Sequence, residues 1–164
     1  MTRRLILMRH AKSSWGDPTL PDHARPLNGR GRRSAKALGN WLRENGYTPD
    51  EVLCSSSSRT RETLDRLTLD APTTFLDSLY HASPRSMFNE LTRATGACVL
   101  MLGHNPGIAG FAESILATPP EHPRFHDYPT CATLVADFDI KNWSDMTKAS
   151  GTPLAFVIPR ELTG

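Results

Sequence analysis

The stretch "LILMRHAKSSW", residues 5–15, carries four apolar residues followed directly by Arg9 and His10. A short apolar run bounded by polar and small residues is typical of a strand that is buried on both faces of a sheet. We therefore predict a strand over residues 3–9, with His10 directly after it. Such a strand brings a cation and an imidazole to its carboxyl end.

Strand and helix patterns alternate along the rest of the chain. Further strands are predicted at 51–56, 73–76, 97–103, 131–138 and 153–159, and helices at 28–46, 58–67, 84–96 and 105–117. Asn28 and Asn105 are predicted to cap two of these helices, and Pro106 fits a first helical turn. The Pro-rich segment 118–130 predicts an irregular loop on the surface. The alternation predicts an α/β layered fold with a largely parallel sheet.

The length and the composition fit one compact domain. Of the 164 residues, 38% are hydrophobic and 22% are charged, and the net charge is +2. No apolar run approaches the ~20 residues that cross a bilayer, and the start lacks the apolar region of a signal peptide. We therefore expect a cytoplasmic protein with no membrane partner.

Cys54, Cys98 and Cys131 are predicted to be free thiols. The basic run 30–33 is typical of a solvated helix face, so no nucleic-acid partner is expected.

Polar side chains follow three of the predicted strands. Arg9 and His10 follow the first strand, Arg59 and four serines follow the second, and His104 follows the fourth. Because ligands of open α/β sheets lie beyond the carboxyl ends of the strands, we expect these side chains to converge. A cation in the first turn of a helix opposes the helix dipole, so Arg59 favours a bound anion there. The alternative is that Arg59 points into water or pairs with Glu62.

The predicted cluster has the chemistry of a phosphoryl pocket. Guanidinium groups offer forked donors for phosphate oxygens, and the helix N-terminus after His104 adds backbone N–H groups. A neutral imidazole can attack phosphorus and carry the phosphoryl group, while a second, protonated imidazole stabilises charge on the oxygens. This scheme needs neither a metal nor another cofactor. His122 and His126 have the spacing of metal ligands, but Pro123 between them disfavours a helix, so we predict no zinc site.

Three segments resemble motifs of the histidine phosphatase superfamily. "LILMRHAKSS" (5–14) is similar to its Arg-His-Gly signature, "CSSSSRTRETL" (54–64) to its Ser-Ser-x-x-x-Arg-x-x-x-Thr segment, and "LMLGHNPGI" (100–108) to its second histidine motif. With the short length and "DHARPLNGRGRRSA", they look most like the SixA-type phosphohistidine phosphatases, over residues 4–138. The resemblance implies a three-layer α/β/α sandwich with a mostly parallel central sheet, phosphoglycerate mutase-like, and a single histidine phosphatase domain over residues 1–164.

The resemblance also implies roles for single residues. It makes His10 the nucleophile. It places three further residues around the phosphoryl group: Arg9, Arg59 and His104. Ser13 and Asn105 are predicted to bind the substrate, although the Ser13 hydroxyl either donates to a phosphate oxygen or caps the loop. The chemistry requires a neutral His10 and a cationic His104. Asp22 and Arg25 are predicted to pair with each other across a turn.

The chain departs from the superfamily after the third predicted strand. Larger relatives carry an acidic proton donor there, whereas this chain reads "FLDSLYHASP", with Tyr80 in the place of the acid. Asp77 and His81 are further candidate donors, and Asp17 and Asp22 of the first loop are more remote ones. The sequence leaves the general acid open.

The missing carboxylate favours one class of substrate. A phosphate ester gains about 10²–10⁴-fold from a general acid, whereas phosphohistidine expels an imidazole that is readily protonated near neutral pH. We therefore expect metal-independent hydrolysis of phosphohistidine on a protein, plausibly a histidine phosphotransfer domain of a signalling relay, through phospho-His10. The alternatives are a broad small-molecule phosphomonoesterase and a phosphate-binding module without turnover. A mutase is not expected, because the chain lacks the insertions that enclose a small metabolite.

Overall fold

The computed structural model describes residues 1–163, which form one central sheet with helices on both sides. The strands are β1 (Arg3–Arg9), β2 (Glu51–Ser55), β3 (Thr73–Leu76), β4 (Cys98–Gly103), β5 (Thr133–Phe138) and β6 (Thr152–Val157). The helices are α1 (Gly29–Glu44), α2 (Ser58–Leu67), α3 (Pro84–Thr92), α4 (Gly107–Ile115) and the short α5 (Arg160–Thr163). Three 3₁₀ turns cover Asp22–Ala24, Asp77–Leu79 and Trp143–Asp145. Every predicted strand and helix is present, with α3 and α4 shorter than their patterns indicated.

The sheet has the order β3-β2-β4-β1-β5-β6. β1 pairs in parallel with β4, and β2 pairs in parallel with both β3 and β4, whereas β5 is antiparallel to both of its neighbours. The prediction of a mostly parallel sheet is therefore confirmed. Because β2, β4 and β1 are adjacent and parallel, the residues that follow them meet at one edge.

β1 is buried on both faces, as its apolar run indicated. Leu5, Ile6, Leu7 and Met8 are each fully buried. Successive side chains of a strand point to opposite faces. Leu5 and Leu7 accordingly pack in the core that contains α3 and α4, whereas Ile6 and Met8 pack in the core that contains α1 and α2. The predicted three-layer α/β/α arrangement follows from these two cores.

α1 begins at the residue that the sequence indicated. The side chain of Asn28 caps the helix by accepting a hydrogen bond from the N–H of Gly31 at 2.8 Å. Gly31 also lies against the loop after β1, where an added Cβ would come 2.1 Å from the carbonyl oxygen of Lys12. Only glycine lets the helix approach the loop this closely.

The segment 118–130 contains no helix or strand, as predicted, but it is more than a surface loop. Phe125 and Tyr128 are fully buried, and the hydroxyl of Tyr128 donates to the carbonyl oxygen of Leu7 at 2.5 Å. The rest of the segment is exposed or half-buried, as expected of a surface loop, and these two aromatic side chains complete the core beneath β1.

The structure bears on the three cysteine thiols and on the length and apolar character of the helices. The cysteines are free, as predicted: Cys54 and Cys131 are buried, and Cys98 is half-buried. Burial raises the pKa of Cys54 to about 12 and that of Cys98 to about 11. Within residues 1–163, no helix has both the length and the apolar character needed to span a bilayer.

Candidate active site

Two histidines meet at the carboxyl edge of the sheet. His10 follows β1 and His104 follows β4, and the centroids of their rings lie 5.2 Å apart because these strands are neighbours. The backbone N–H of His10 donates to the carbonyl oxygen of Gly103 at 3.1 Å, which holds the end of β1 against the end of β4. His10 is 6% exposed and His104 is 2% exposed. The structure thus brings together the two predicted imidazoles, here called the histidine pair.

The ring of His10 is held in one tautomer. Nδ1 lies 2.7 Å from the carbonyl oxygen of Ala11. A carbonyl only accepts, so Nδ1 carries the proton and Nε2 holds the lone pair. No group among residues 1–163 forms a hydrogen bond with Nε2. Burial, together with the nearby charges of Arg9 and Arg59, lowers the pKa of His10 to about 3. His10 is therefore neutral, as the chemistry requires.

His104 is held in the opposite tautomer. Its Nε2 lies 2.8 Å from Oγ of Ser55, and its Nδ1 lies 3.4 Å from Nη2 of Arg59. A guanidinium only donates, so Nδ1 holds the lone pair and Nε2–H donates to Ser55. Burial, with His10 and the charge of Arg59, lowers the pKa of His104 to about 2. The cationic His104 that the chemistry requires is not the state of this structure, because burial and the charge of Arg59 disfavour the imidazolium.

Arg59 lies in the first turn of α2 and is 3% exposed. Its guanidinium turns toward the histidine pair, and Nη1 donates to the backbone carbonyl of Asp22 at 2.8 Å. The alternative that Arg59 points into water or pairs with Glu62 is wrong. Glu62 lies near Arg32 and Arg66 instead.

Arg9 supplies a second, half-buried guanidinium. Its Nη1 donates to the carbonyl oxygen of Tyr128 at 3.1 Å, and its buried Nε has no partner among residues 1–163. Burial and the charge of Arg59 lower the pKa of Arg9. The neighbouring guanidiniums of Arg9 and Arg59 repel each other, and a shared anion removes the repulsion. The pair is therefore suited to an oxyanion.

Arg25 adds a third cation. It is 7% exposed and donates to Oγ of Ser13 as well as to Oδ1 of Asp22, the latter at 3.3 Å. The predicted pairing of Arg25 with Asp22 is present, but it extends to Ser13. Because the Ser13 hydroxyl accepts from Arg25, its own proton is free to turn toward a ligand.

Asp22, which the sequence marked only as a partner of Arg25 or a remote proton donor, holds a central position. Its Oδ2 accepts from Nη2 of Arg59 at 3.0 Å, from Nε2 of His81 at 3.0 Å and from the hydroxyl of Tyr80. The hydrogen bond from Tyr80, together with those from His81 and Arg59, lowers the pKa of Asp22. Asp22 is therefore an ionised carboxylate placed against the main cation of the site.

The candidate proton donors differ in their distance from the histidine pair. The ring centroids of Tyr80 and His81 lie 5.4 Å and 5.1 Å from that of His104. Asp77 instead accepts from Oγ of Ser56 at 2.5 Å. Asp17 is exposed and bonds to its own loop. The structure brings Tyr80 and His81 to the site and leaves the two aspartates outside it.

The side chain of Asn105 makes three hydrogen bonds within the protein. Its Nδ2 donates to the carbonyl oxygens of Asp127 and Tyr128 at 2.9 and 3.2 Å, and its Oδ1 accepts from the N–H of Ala109 at 3.3 Å. The residue that precedes α4 as its cap is Pro106. The helix therefore begins one residue later than predicted, but the Asn105 side chain still accepts from an N–H of its first turn and ties the 118–130 segment to α4. The predicted substrate contact stays a prediction.

The N-terminus of α4 offers fewer N–H groups than predicted. The N–H of Ile108 donates to the carbonyl oxygen of His104 at 2.8 Å, and that of Ala109 is used by Asn105. These two amides are therefore not free for an anion.

His122 and His126 each contact a carboxylate group. His122 lies 2.9 Å from Glu161, and His126 lies 2.7 Å from Glu113. Among residues 1–163, no cluster of three or more His, Cys, Asp or Glu side chains could hold a metal ion.

Known proteins resemble this chain in sequence and in structure. A profile of the histidine phosphatase superfamily (branch 1) matches residues 5–80. An uncharacterised protein of Mycobacterium tuberculosis is 34% identical over 160 residues, which cover 93% of this chain and 100% of that protein. A solved structure assigned as the phosphohistidine phosphatase SixA of Nakamurella multipartitia has a TM-score of 0.84 and 27% identity over 97% of both chains. The protein histidine phosphatase SixA in complex with tungstate has a TM-score of 0.78 and 22% identity, covering 97% of this chain and 99% of that one.

The matched profile covers the segments that supply His10, Arg59 and Asp22, and the structural matches extend over the segment that supplies His104. The chain belongs to the histidine phosphatase superfamily, and its structure resembles that of the SixA-type phosphohistidine phosphatases.

Proposed function

We propose that this protein is a phosphatase that removes the phosphoryl group from phosphohistidine on another protein and carries it on His10. The observation that carries the proposal is the state of His10. Its Nδ1–H is fixed by the carbonyl of Ala11, and its Nε2 lone pair is free in the presence of buried cations. A neutral imidazole attacks an electrophile without first losing a proton, and the cations favour an electrophile that is an anion.

The reaction proceeds in two steps. Nε2 of His10 forms a bond to phosphorus while the P–N bond to the substrate imidazole breaks, and water then releases phosphate from His10. Arg9 and Arg59 bind the phosphoryl oxygens as forked donors, and Ser13 donates its free proton to them. His104 stays neutral and donates its Nε2–H to Ser55, so the guanidiniums carry the positive charge beside the phosphoryl group.

The surroundings of the histidine pair support a substrate with an imidazole leaving group. Asp22 is held as a carboxylate by three donors, so it does not supply a carboxylic acid to a poor alkoxide leaving group, and Asp77 is bonded to Ser56. A leaving imidazole is more readily protonated near neutral pH than a leaving alkoxide, so it depends less on a carboxylic acid. The structural relative that binds tungstate, a tetrahedral oxyanion like phosphate, is itself a protein histidine phosphatase. We propose a histidine phosphotransfer domain of a cytoplasmic signalling relay as the substrate.

The side-chain cations make the proposed reaction independent of metal ions. Three guanidiniums, those of the half-buried Arg9 and the buried Arg25 and Arg59, carry the positive charge that a bound cation supplies in metal-dependent phosphatases. EDTA is therefore expected to leave turnover unchanged.

The test is a phosphate-release assay in EDTA that compares a phosphorylated histidine phosphotransfer domain, a phosphoserine peptide and a panel of metabolite esters. We expect the wild type to prefer the phosphohistidine protein and His10→Ala to lose that activity. His126→Gln, a substitution of an exposed histidine paired with Glu113, is the matched control and is expected to keep full activity. Wild-type rates in His10→Ala would refute the mechanism.

A second candidate function is hydrolysis of small phosphate esters. The observation that favours it is the placement of Tyr80 and His81 close to His104, where a proton could reach an alkoxide. If the same assay shows a preference for one of the esters, phosphohistidine is not the substrate. The proposed pocket and the nucleophile His10 would still stand.

A further inference from the structure

The proposed phosphatase reaction needs a group that moves a proton. The imidazole that leaves in the first step takes up a proton, and the water that attacks phospho-His10 gives one up. The histidine pair does not carry this proton, because Nδ1–H of His10 is bound to Ala11, Nε2–H of His104 is bound to Ser55 and Nδ1 of His104 faces Arg59. A separate side chain has to do so.

His81 lies beside the pair, at the surface. Its ring centroid is 5.1 Å from that of His104 and 4.2 Å from that of Tyr80. Its side chain is 52% exposed, so water and a protein substrate can reach it. The backbone φ of His81 is 50°, in the left-handed region that residues other than glycine seldom adopt. Such a conformation persists where the surroundings impose it, and it is frequent at functional sites.

Asp22 orients the ring of His81. Nε2 of His81 lies 3.0 Å from Oδ2 of Asp22, and because a carboxylate only accepts, Nε2 carries a proton. Nδ1 has no hydrogen-bond partner in the described chain, residues 1–163. Asp22 is itself fixed by Arg59 and Tyr80. A carboxylate that holds one imidazole nitrogen and leaves the other free is the arrangement of the general base in serine hydrolases.

We propose that His81 is the catalytic residue that carries the proton in both steps and that Asp22 positions it, an inference that rests on the phosphatase function proposed above. The nearest competitor is Tyr80. Its hydroxyl already donates to Asp22, and burial together with that carboxylate raises its pKa, so it is a poor acid near neutral pH.

The two steps balance through Nδ1 of His81. In the first, Nε2 of His10 bonds to phosphorus, the P–N bond to the substrate breaks, and the leaving nitrogen takes a proton from Nδ1 of protonated His81. In the second, Nδ1 of the now neutral His81 takes a proton from water as the water oxygen bonds to phosphorus. The P–N bond to His10 then breaks, and its Nε2 recovers the lone pair. Phosphate leaves, and His81 is protonated for the next cycle.

The second step can be measured alone. Wild type, His81→Gln, His81→Ala and the control His126→Gln are loaded with phosphoramidate, a small phosphoryl donor with a P–N bond. The decay of the phosphoenzyme is followed by intact mass after an alkaline quench. We expect His81→Gln and His81→Ala to slow the decay by about 10²–10⁴-fold, the usual contribution of general acid–base catalysis, and His126→Gln to match the wild type.

Added imidazole separates a catalytic from a structural role. We expect it to accelerate the decay in His81→Ala in proportion to its concentration and to leave the wild type unchanged, because it replaces the missing base. Decay at the wild-type rate in both His81 variants overturns the inference and leaves the proposed function intact. Slow decay that imidazole does not rescue also overturns it, in favour of a structural role. If the wild type acquires no phosphoryl group on His10, the proposed function fails, and the inference fails with it.

Discussion

The histidine pair is expected to make the stability of this protein depend on pH in a way that two substitutions remove. Burial lowers the pKa of His10 to about 3 and that of His104 to about 2, whereas an exposed histidine of the unfolded chain has a pKa of about 6.5. Between these limits the unfolded chain binds a proton at each position and the folded protein does not. Stability therefore rises with pH across this window and is lost as the pH falls below about 6.5.

The size of the effect follows from proton linkage. Between pH 7 and pH 5, protonation of one unfolded histidine lowers the free energy of unfolding by about 2 kcal/mol, because the folded side chain stays neutral at both values. The pair together contributes about 4 kcal/mol. Small domains have a total stability of about 5–15 kcal/mol, so this contribution is a large part of it.

The assay is urea denaturation at pH 7 and at pH 5, with phosphate-free buffers. The measured quantity is the free energy of unfolding at pH 7 minus that at pH 5. All other titrating groups contribute equally to this difference in the wild type and in a variant, so they cancel when the two proteins are compared. His10→Gln and His104→Gln are each expected to reduce this difference by about 2 kcal/mol. Leu91→Ala, which removes a fully buried side chain without a titrating group, is expected to lower stability equally at both pH values.

A His104→Gln variant with the same pH difference as the wild type would refute the reasoning. It would mean that His104 takes up its proton in the folded protein within this range, and that the tautomer held between Ser55 and Arg59 does not resist protonation.

Three further predictions concern single contacts. Asp22→Asn is expected to bind orthovanadate about fivefold more tightly in equilibrium titrations, because the substitution frees Arg59 from a carboxylate. Its kcat is expected to fall, because the substitution weakens the orientation of His81. Weaker vanadate binding would contradict the idea that Asp22 competes with the anion for Arg59. Arg59→Lys is expected to lower kcat/KM by about 10²-fold in the phosphate-release assay, since an ammonium group lacks the forked donors; an unchanged value would remove Arg59 from the pocket. Gly31→Ala is expected to lower the free energy of unfolding by about 1–3 kcal/mol in denaturant titrations, because its Cβ would come 2.1 Å from the carbonyl oxygen of Lys12; wild-type stability would show that the loop yields freely.

Local patterns were sufficient for the features that depend on a few neighbouring residues. The apolar run before Arg9 predicted β1, and Asn28 predicted the start of α1, because strand burial and helix capping are set by side chains close in the chain. The alternation of elements then placed His10 and His104 at one edge, since parallel strands share the direction of their carboxyl ends.

Features that depend on distant residues were missed. Asp22 lies in a non-periodic loop, and its importance comes from Arg59, Tyr80 and His81, which are far from it in sequence. The neutral state of His104 depends on burial and on a cation from another helix, which its own segment does not reveal. Asn105 has the sequence context of a helix cap and does accept from Ala109 in α4, but its two bonds to Asp127 and Tyr128 depend on a segment that this pattern does not include.

Tyr128 gives the 118–130 segment an importance for protein engineering. Its hydroxyl bonds to the carbonyl of Leu7 inside β1, and its own carbonyl accepts from Arg9 and from Asn105. A chimera that exchanges this segment for that of a relative has to retain both the aromatic hydroxyl and the carbonyl, or Arg9 loses the contact that holds it in place. Reporter insertions are accordingly better made near the exposed Ala117 and Pro119, where none of these three bonds is disturbed.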